Sequence, residues 1–330
     1  MNYNEAKEQF ERLFSNQITD DEAKDLLISL YKRGETPDEI AAAASVMRKY
    51  SIKLDIDKAL QNELIDIVGT GGDKSGSFNI SSTVSIIVAS LGSKVAKHGN
   101  RAITSNSGAA DMLEELGINL NLNPSKQIDM LKKSGFTFMF AINHHPAMKH
   151  IMPIRKSLNH RTIFNILGPL TNPAGAKKYL LGVFDKSFIK KIAQALLLLD
   201  VKNSIILSSN DGMDEASISD ITHAIFIKDG VLKESIIDPR EFGFKLHDSK
   251  EIKGGDAKTN AKITLDILNG QKGAKRDITL LNSALALVVD QKVSTIEDGI
   301  KLASEAIDSK LALKKLEQII KVSNETLHDF

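Results

Sequence analysis

The stretch that most constrains this chain is residues 64 to 82, LIDIVGTGGDKSGSFNISS. A short apolar run, Leu64-Ile65-Asp66-Ile67-Val68, has the length and composition of a buried strand. Gly69, Gly71, Gly72 and Gly76 follow within eight residues, and Asn79-Ile80-Ser81-Ser82 leads into an apolar segment long enough for a buried helix. A strand, a glycine-rich loop and a helix start present backbone N–H groups to phosphate. Glycine permits close approach and positive φ, and a helix N-terminus adds unpaired donors and partial positive charge. The dinucleotide fingerprint GxGxxG needs Gly at position 74, where Lys74 stands, and the Walker loop needs Gly directly before its lysine, where Asp73 stands. The loop is therefore neither of these, and a glycine turn with no ligand is its plain alternative. Asp73 is a poor phosphate ligand by itself; it either holds the loop or meets a metal-bound ligand.

At 330 residues the chain exceeds one typical domain, and 42% hydrophobic residues supply a sizeable core. A net charge of +1 argues against a general nucleic-acid binder, and the absence of tryptophan argues against base stacking. With no cysteine there are no disulfides, thiolate metal sites or thiol catalysis. The start, MNYNEAKEQF, is polar, and no apolar run approaches the ~20 residues of a membrane span, so a soluble cytoplasmic protein is expected.

Residues 1–60 read as helices. Phe10, Leu13 and Phe14 share a face, Thr19 to Glu22 has capping-box spacing, and Leu26, Leu27, Leu30 and Tyr31 form an apolar stripe. Thr36-Pro37-Asp38-Glu39 repeats the device ahead of Ala41, Ala42, Ala43 and Ala44, a run suited to close helix packing. From Leu64 strands alternate with helices, and segments around 224–227 and 231–233 form a hairpin across Asp229-Gly230. The expected fold is α/β, with a small N-terminal helical domain (1–63) and a large α/β domain (64–330) whose mostly parallel central sheet is covered by helices. Ligands in such sheets bind beyond the carboxyl ends of the strands, where residues 69–82 would lie.

Three further groups carry chemistry. Lys97-His98-Gly99-Asn100-Arg101 follows an apolar strand and reads either as a solvated basic turn or as an anion site, which Ser105, Asn106 and Ser107 would extend. Asp214-Glu215 is an acidic pair in a turn after a strand. It is either an exposed turn or, opposite a phosphate loop, a hard-oxygen pair for Mg²⁺, with Ser81 as a third ligand or merely a helix cap. Arg155 is either a surface charge or a clamp for a carboxylate. The run from Asn165 to Gly175, rich in amide, glycine and proline, has the make-up of a pocket wall.

In order along the chain, these pieces resemble the anthranilate phosphoribosyltransferase family of the class III, nucleoside phosphorylase-like phosphoribosyltransferases. The resemblance rests on Gly69-Thr70-Gly71-Gly72-Asp73, Phe78-Asn79-Ile80-Ser81, Lys97-His98-Gly99-Asn100-Arg101, His145-Pro146-Ala147-Met148, the run from Arg161 to Pro173, and Gly212-Met213-Asp214-Glu215. Each motif is weak alone; the ordered set over residues 60–290 is specific. The resemblance implies transfer of phosphoribose from 5-phosphoribosyl 1-diphosphate to the amine of anthranilate. It implies that Gly69, Gly72, Asp73, Ser77, Asn79, Ile80, Ser81 and Ser82 hold the phosphoribosyl diphosphate together with Lys97, His98, Gly99, Asn100, Arg101, Ala102, Ile103, Thr104 and Ser105. Gly69, His98, Asn100 and Arg155 would meet anthranilate, with His98 either moving a proton or shaping the pocket. Ser81, Asp214 and Glu215 would hold Mg²⁺. The family also implies a homodimer through the N-terminal helices, and helices from about 145–170 joining the small domain. Departures from the family pattern are Ala109 for a phosphate-binding serine, Lys74 for glycine, and Asn159-His160 before Arg161. A pyrimidine nucleoside phosphorylase and a non-catalytic binding protein of the same fold are the competing readings; the acidic pair speaks against the first and the near-neutral charge against the second.

Overall fold

The structure, a computed structural model, describes residues 1–73, 75–101 and 107–325. It opens with three capped helices, α1 (Tyr3–Phe14), α2 (Asp20–Arg33) and α3 (Pro37–Lys49). Each starts with a reciprocal capping box, Asn2 with Glu5, Thr19 with Glu22 and Thr36 with Glu39, which satisfies two otherwise unpaired donors per helix. The α2 core stripe is Ala23, Leu27 and Leu30. Tyr31 is not part of it. At 100° per residue it falls on the edge of that stripe, stays half-exposed, and stacks on the His160 ring at 4.0 Å. Ala41 to Ala44 are fully buried within the single chain, because α3 is wedged between α1 and a later helix, α11 (Ile189–Leu198).

A short helix, α4 (Lys58–Glu63), feeds β1 (Leu64–Gly69). The glycine loop then leads to α5 (Ile80–Ser90), β2 (Lys94–Gly99), α6 (Ala109–Glu115), α7 (Pro124–Ser134) and β3 (Phe136–Phe140). Next come α8 (Ala141–His144), α9 (Met148–Lys156, with Pro153 inside it) and α10 (Phe164–Leu167). The second half holds β4 (Lys178–Gly182), β5 (Asn203–Ser209), β6 (Thr222–Lys228) and β7 (Val231–Ile237), then α12 (Ala257–Leu268), α13 (Ala274–Val289), α14 (Ile296–Asp308) and α15 (Leu311–Glu325).

The seven strands form one sheet in the order β3-β2-β1-β4-β5-β6-β7. The first five are parallel, and β6 and β7 are antiparallel. Asp229 and Gly230 both have positive φ (51° and 81°), the two-residue hairpin geometry that matches strand twist. One apolar core lies between the sheet and α5, α6, α7 and α12 to α15. The other joins the opposite sheet face (Leu64, Tyr179, Leu181, Ile206) to α1, α2, α3 and α9 to α11. The N-terminal helices therefore share a core with the sheet.

Chain order reverses at β1. Its connection through α5 runs outward to β2, while β4 returns on the other side, which opens a crevice at the strand ends. Three neighbouring strands end there in glycine: Gly99, Gly69 and Gly182. Gly69 pairs with Gly182. A Cβ on Gly69 would strike the Asp214 carboxylate and one on Gly182 the Asp214 carbonyl, both inside any tolerated contact. Gly182→Ala should therefore cost about 3 kcal/mol through forced backbone movement. Gly230→Ala, where nothing lies within 4 Å, should cost only the about 1 kcal/mol of a left-handed residue. Thermal unfolding followed by circular dichroism measures both, and an equal loss in the two variants contradicts this packing.

Candidate active site

Beyond β1 the chain is pinned before it becomes a loop. The Thr70 N–H donates to the Gly182 carbonyl at 3.0 Å, Thr70 Oγ1 accepts from the Phe184 N–H at 3.1 Å, and the Gly71 N–H donates to Asp214 Oδ2 at 2.7 Å. Gly71, Gly72 and Gly76 take φ of 68°, 73° and 63°, which only glycine adopts without strain. Asp73 Oδ1 accepts from the Ser75 N–H at 3.2 Å, whereas its Oδ2 is buried with no partner. So Asp73 both holds the loop and turns an unsatisfied oxygen inward. Residues 252–254 strap the far side. Ser77 bridges to Lys253, the Gly254 N–H donates to the Gly76 carbonyl at 3.0 Å, and Lys253 Nζ bonds the Ser75 carbonyl.

Asn79 precedes α5 but makes no side-chain cap bond. Its amide oxygen accepts from Asn260 Nδ2 at 2.8 Å and from Ser107 Oγ at 3.3 Å. No Asn79 side-chain bond therefore caps α5; the Ile80 N–H donates to the Phe78 carbonyl at 2.8 Å and the Ser81 N–H to the Glu215 carboxyl. Ser81 is the second residue of the helix rather than its cap, and its hydroxyl accepts from Lys97 Nζ at 3.2 Å. Ile80 is buried in the core and offers the site only its backbone, while the buried Ser82 hydroxyl has no partner.

Lys97, only 2% exposed, also donates to the Ile67 carbonyl at 2.6 Å. Burial lowers its pKa, and the charges of Asp66, Glu215 and Asp214 oppose that shift. Asp66 lies beneath it, fully buried and pushed up to about 6 by desolvation, with Lys97 opposing. Asp66 accepts from the His98 N–H at 3.2 Å and from Asn172 Nδ2 at 2.7 Å, and Asn172 also donates to the Ala96 carbonyl at 2.8 Å. Sequence reasoning passed over Asp66 and Asn172 as site residues. The signal for Asp66 was a lone carboxylate inside an apolar strand, which burial makes costly unless it is paired.

His98 Nδ1 contacts the Gly168 carbonyl at 3.1 Å, while its Nε2 is buried without a partner. The His145 ring is 5.1 Å away, centroid to centroid. Burial, then His145 and His144, hold His98 well below the usual imidazole range; burial brings His145 down to about 4. Arg155 sits 5.2 Å over the Phe164 ring, its pKa lowered by burial, and has no carboxylate partner among the described residues. Asn100 follows β2, and its Oδ1 accepts from the Arg101 N–H at 2.8 Å. The Arg101 guanidinium turns away, bonding Asp111 and Glu114 at 2.8 Å each, so only its backbone is left to the site. Ala102, Ile103, Thr104 and Ser105 lie outside the described residues, as do Lys74 and Asn106.

Asp214 and Glu215 follow β5. Contrary to an exposed acidic turn, the pair is drawn inward. Burial and the neighbouring Asp73 charge push Asp214 up to about 7. Burial and Asp214 hold Glu215 well above the carboxylate range, with Lys97 opposing. Among the described residues no three His, Cys, Asp or Glu side chains form a metal cage. Two repelling carboxylates with a serine hydroxyl nearby and the unsatisfied Asp73 Oδ2 fit Mg²⁺, which takes few protein oxygens and fills its shell from water and phosphate.

Residues 61–313 match the family model described as "Glycosyl transferase family, a/b domain", and residues 1–51 match "Glycosyl transferase family, helical bundle domain". The anthranilate phosphoribosyltransferase of Methanobrevibacter smithii is 46% identical over 324 residues, 98% of this chain and 96% of the relative. The solved anthranilate phosphoribosyltransferase of Thermus thermophilus superimposes with a TM-score of 0.92 at 36% identity, covering 98% of this chain and 96% of that one. The Saccharomyces cerevisiae enzyme, solved in complex with PRPP and Mg, gives 0.85 at 30% identity over 96% and 91%.

The buried imidazoles lead to a pH test. With folded pKa values below the ordinary imidazole value of about 6.5, His98 and His145 are neutral in both folded and unfolded chains above that pH. As pH falls from 6.5 the unfolded chain takes up protons that the folded chain refuses, so their contribution to stability is lost. Nitrogen-detected NMR should show both rings neutral from pH 8 to 5.5. His145→Phe should lose less stability than the parent below pH 6.5, by about 1.4 kcal/mol per pH unit. A titration midpoint near 6.5 for either ring contradicts the burial argument.

Proposed function

The chain belongs to the anthranilate phosphoribosyltransferases of the glycosyl transferase family, and on that premise we propose how its residues divide the work. The reaction transfers the phosphoribosyl group of 5-phosphoribosyl 1-diphosphate to the amine of anthranilate, releasing diphosphate, a step of tryptophan biosynthesis that uses Mg²⁺. The observation that carries the residue assignment is the meeting, at one crevice, of a glycine loop, the first turn of α5, a buried lysine and an inward-turned acid pair.

Cleavage at ribose C1 leaves positive charge on the sugar and negative charge on diphosphate. In this proposal the backbone around Gly69, Gly72, Asp73 and Ser77, the first turn of α5 from Asn79 through Ser82, and Lys97 bind the phosphoribosyl diphosphate and stabilise the departing charge. The backbone of Gly99, Asn100 and Arg101 continues that cradle, and the family correspondence extends it through residues 102–105. Asp214 and Glu215, with the Ser81 hydroxyl, would hold Mg²⁺, which when bound neutralises charge on the diphosphate oxygens.

Arg155 is the anchor for the anthranilate carboxylate. A half-buried guanidinium without a counter-charge among the described residues gains a bidentate partner there. Gly69, Asn100 and His98 form the walls around the amine. With Nδ1–H directed at the Gly168 carbonyl, the His98 Nε2 carries the lone pair and can accept an amine proton as a hydrogen bond. An aromatic amine already has a free lone pair, so positioning and leaving-group stabilisation suffice without a strong base. The same proposal has a helical domain of residues 1–63, joined by helices from 145–170, working against residues 64–330; α9 packing on α1 and α2 supports it. It also has the enzyme acting in the cytoplasm as a homodimer paired through its N-terminal helices. Among the described residues no helix is long and apolar enough to cross a membrane.

Mixing the protein with anthranilate, 5-phosphoribosyl 1-diphosphate and Mg²⁺ should quench anthranilate fluorescence; folded protein that leaves the signal unchanged refutes the function. Arg155→Ala should raise the anthranilate KM about 30-fold, the worth of a charged hydrogen-bonded pair, and leave the diphosphate substrate's KM within about twofold. Asp214→Asn should raise the Mg²⁺ concentration for half-maximal rate by at least about tenfold, and an unchanged Mg²⁺ dependence counts against the carboxylate assignment.

A further inference from the structure

Arg161 lies six residues beyond Arg155. Its Nη2 donates to the Gly72 carbonyl at 2.6 Å. The guanidinium lies over the Phe184 ring, 3.6 Å from the centroid, and Phe184 in turn packs against Phe188 and donates its N–H to Thr70 Oγ1. Among the described residues Arg161 has no carboxylate partner. A surface arginine normally keeps its charge in water; this one is seated on a ring and directs its hydrogen bond to the main chain of the glycine loop.

The peptide plane gives that contact a consequence. Across a trans peptide the carbonyl of one residue and the N–H of the next point in opposite directions. Holding the Gly72 carbonyl toward Arg161 therefore turns the Asp73 N–H to the other side of the loop. Neither the Gly72 nor the Asp73 N–H has an acceptor among the described residues. On the other limb Lys253 Nζ takes the Ser75 carbonyl in the same way. Two of the loop's carbonyls, those of Gly72 and Ser75, are thus bound by cations, and the Gly72 and Asp73 N–H groups are the donors left without an acceptor among the described residues. Gly72 itself must be glycine, since it has φ of 73° and a Cβ there would approach Arg161 Nη2 at 3.3 Å.

We propose that Arg161 is a positioning residue for 5-phosphoribosyl 1-diphosphate: seated on Phe184, it fixes the Gly72–Asp73 peptide so that the Asp73 N–H is aimed at the diphosphate before it arrives. This rests on the phosphoribosyl-transfer reading above. It separates two neighbouring arginines by substrate, Arg155 serving anthranilate and Arg161 serving the diphosphate substrate through the loop.

The test is steady-state kinetics with calorimetric binding of 5-phosphoribosyl 1-diphosphate in the presence of Mg²⁺, on the full chain. Arg161→Ala should raise the KM and Kd for that substrate about tenfold, with the anthranilate KM within about twofold. Arg161→Lys, which keeps a cation and a donor over the ring, should recover most of the loss. Phe184→Leu, which removes the seat but leaves the guanidinium, should give a smaller loss, about threefold, in the same direction. Equal rises in both KM values, or an unchanged diphosphate-substrate KM, overturn the proposal. Should Arg161→Ala fail to fold, the lysine and Phe184 variants decide it by the same criterion. A parent protein that does not consume anthranilate refutes the function itself; an active parent with a selective Arg155→Ala defect and no selective Arg161 defect refutes only this inference.

Discussion

The site depends on the space that two glycines leave at the ends of β1 and β4. Gly69 and Gly182 sit side by side in the sheet, and the Asp214 turn descends into the gap where their side chains would be. From there Asp214 reaches back to the Gly71 N–H. One close backbone contact thus joins the loop after the first parallel strand to the turn after the fifth, and it brings acidic groups from distant parts of the chain against a phosphate-type loop. Without that approach β5 would end in an ordinary exposed turn.

Charge balance then sets the chemistry. The buried cation Lys97 faces Asp66, Asp214 and Glu215, with Asp73 adjoining the pair. Burial resists the charges of Asp66, Asp214, Glu215 and Lys97, which displaces the three carboxyls upward and the lysine downward. The carboxylates divide by partner. Asp66 is satisfied by Asn172 and the His98 N–H and stabilises the strand ends. Asp214 and Glu215 repel each other with little but Lys97 and a few N–H groups to offset them, a mismatch that a divalent cation between protein and diphosphate resolves.

Much of this was legible in the residues. The three-state pattern of the chain is carried by devices that act locally, namely capping boxes at Thr19 and Thr36, the positive-φ pair at Asp229-Gly230, and apolar runs at strand length. The glycine loop announced a phosphate-type site because closely spaced glycines before an apolar helix have few other uses. What escaped was settled by partners far away in sequence. Tyr31 leaves the α2 stripe because His160, 129 residues on, offers it a ring. Arg101 turns from the basic loop because α6 presents two carboxylates. Asp66 and Asn172 meet only once the sheet is assembled. Gly182 shows no motif at all, and its need for hydrogen in place of a side chain appears only when the Asp214 turn is in place.

The glycine ends of β2, β1 and β4 give the floor of the crevice an unusual property. It is built from main chain, and main chain is the one part of a protein that substitution does not rewrite. A side chain at these positions collides most severely at Gly182, with the Asp214 main chain, and less so at Gly99, with the Phe138 ring. A change of substrate preference therefore has to be made in side chains on the walls, such as Arg155 and Asn100. The main-chain floor of the crevice is fixed in shape by geometry while side chains on its walls are open to change, so an engineer seeking a new aromatic acceptor has the walls to redesign and not the floor.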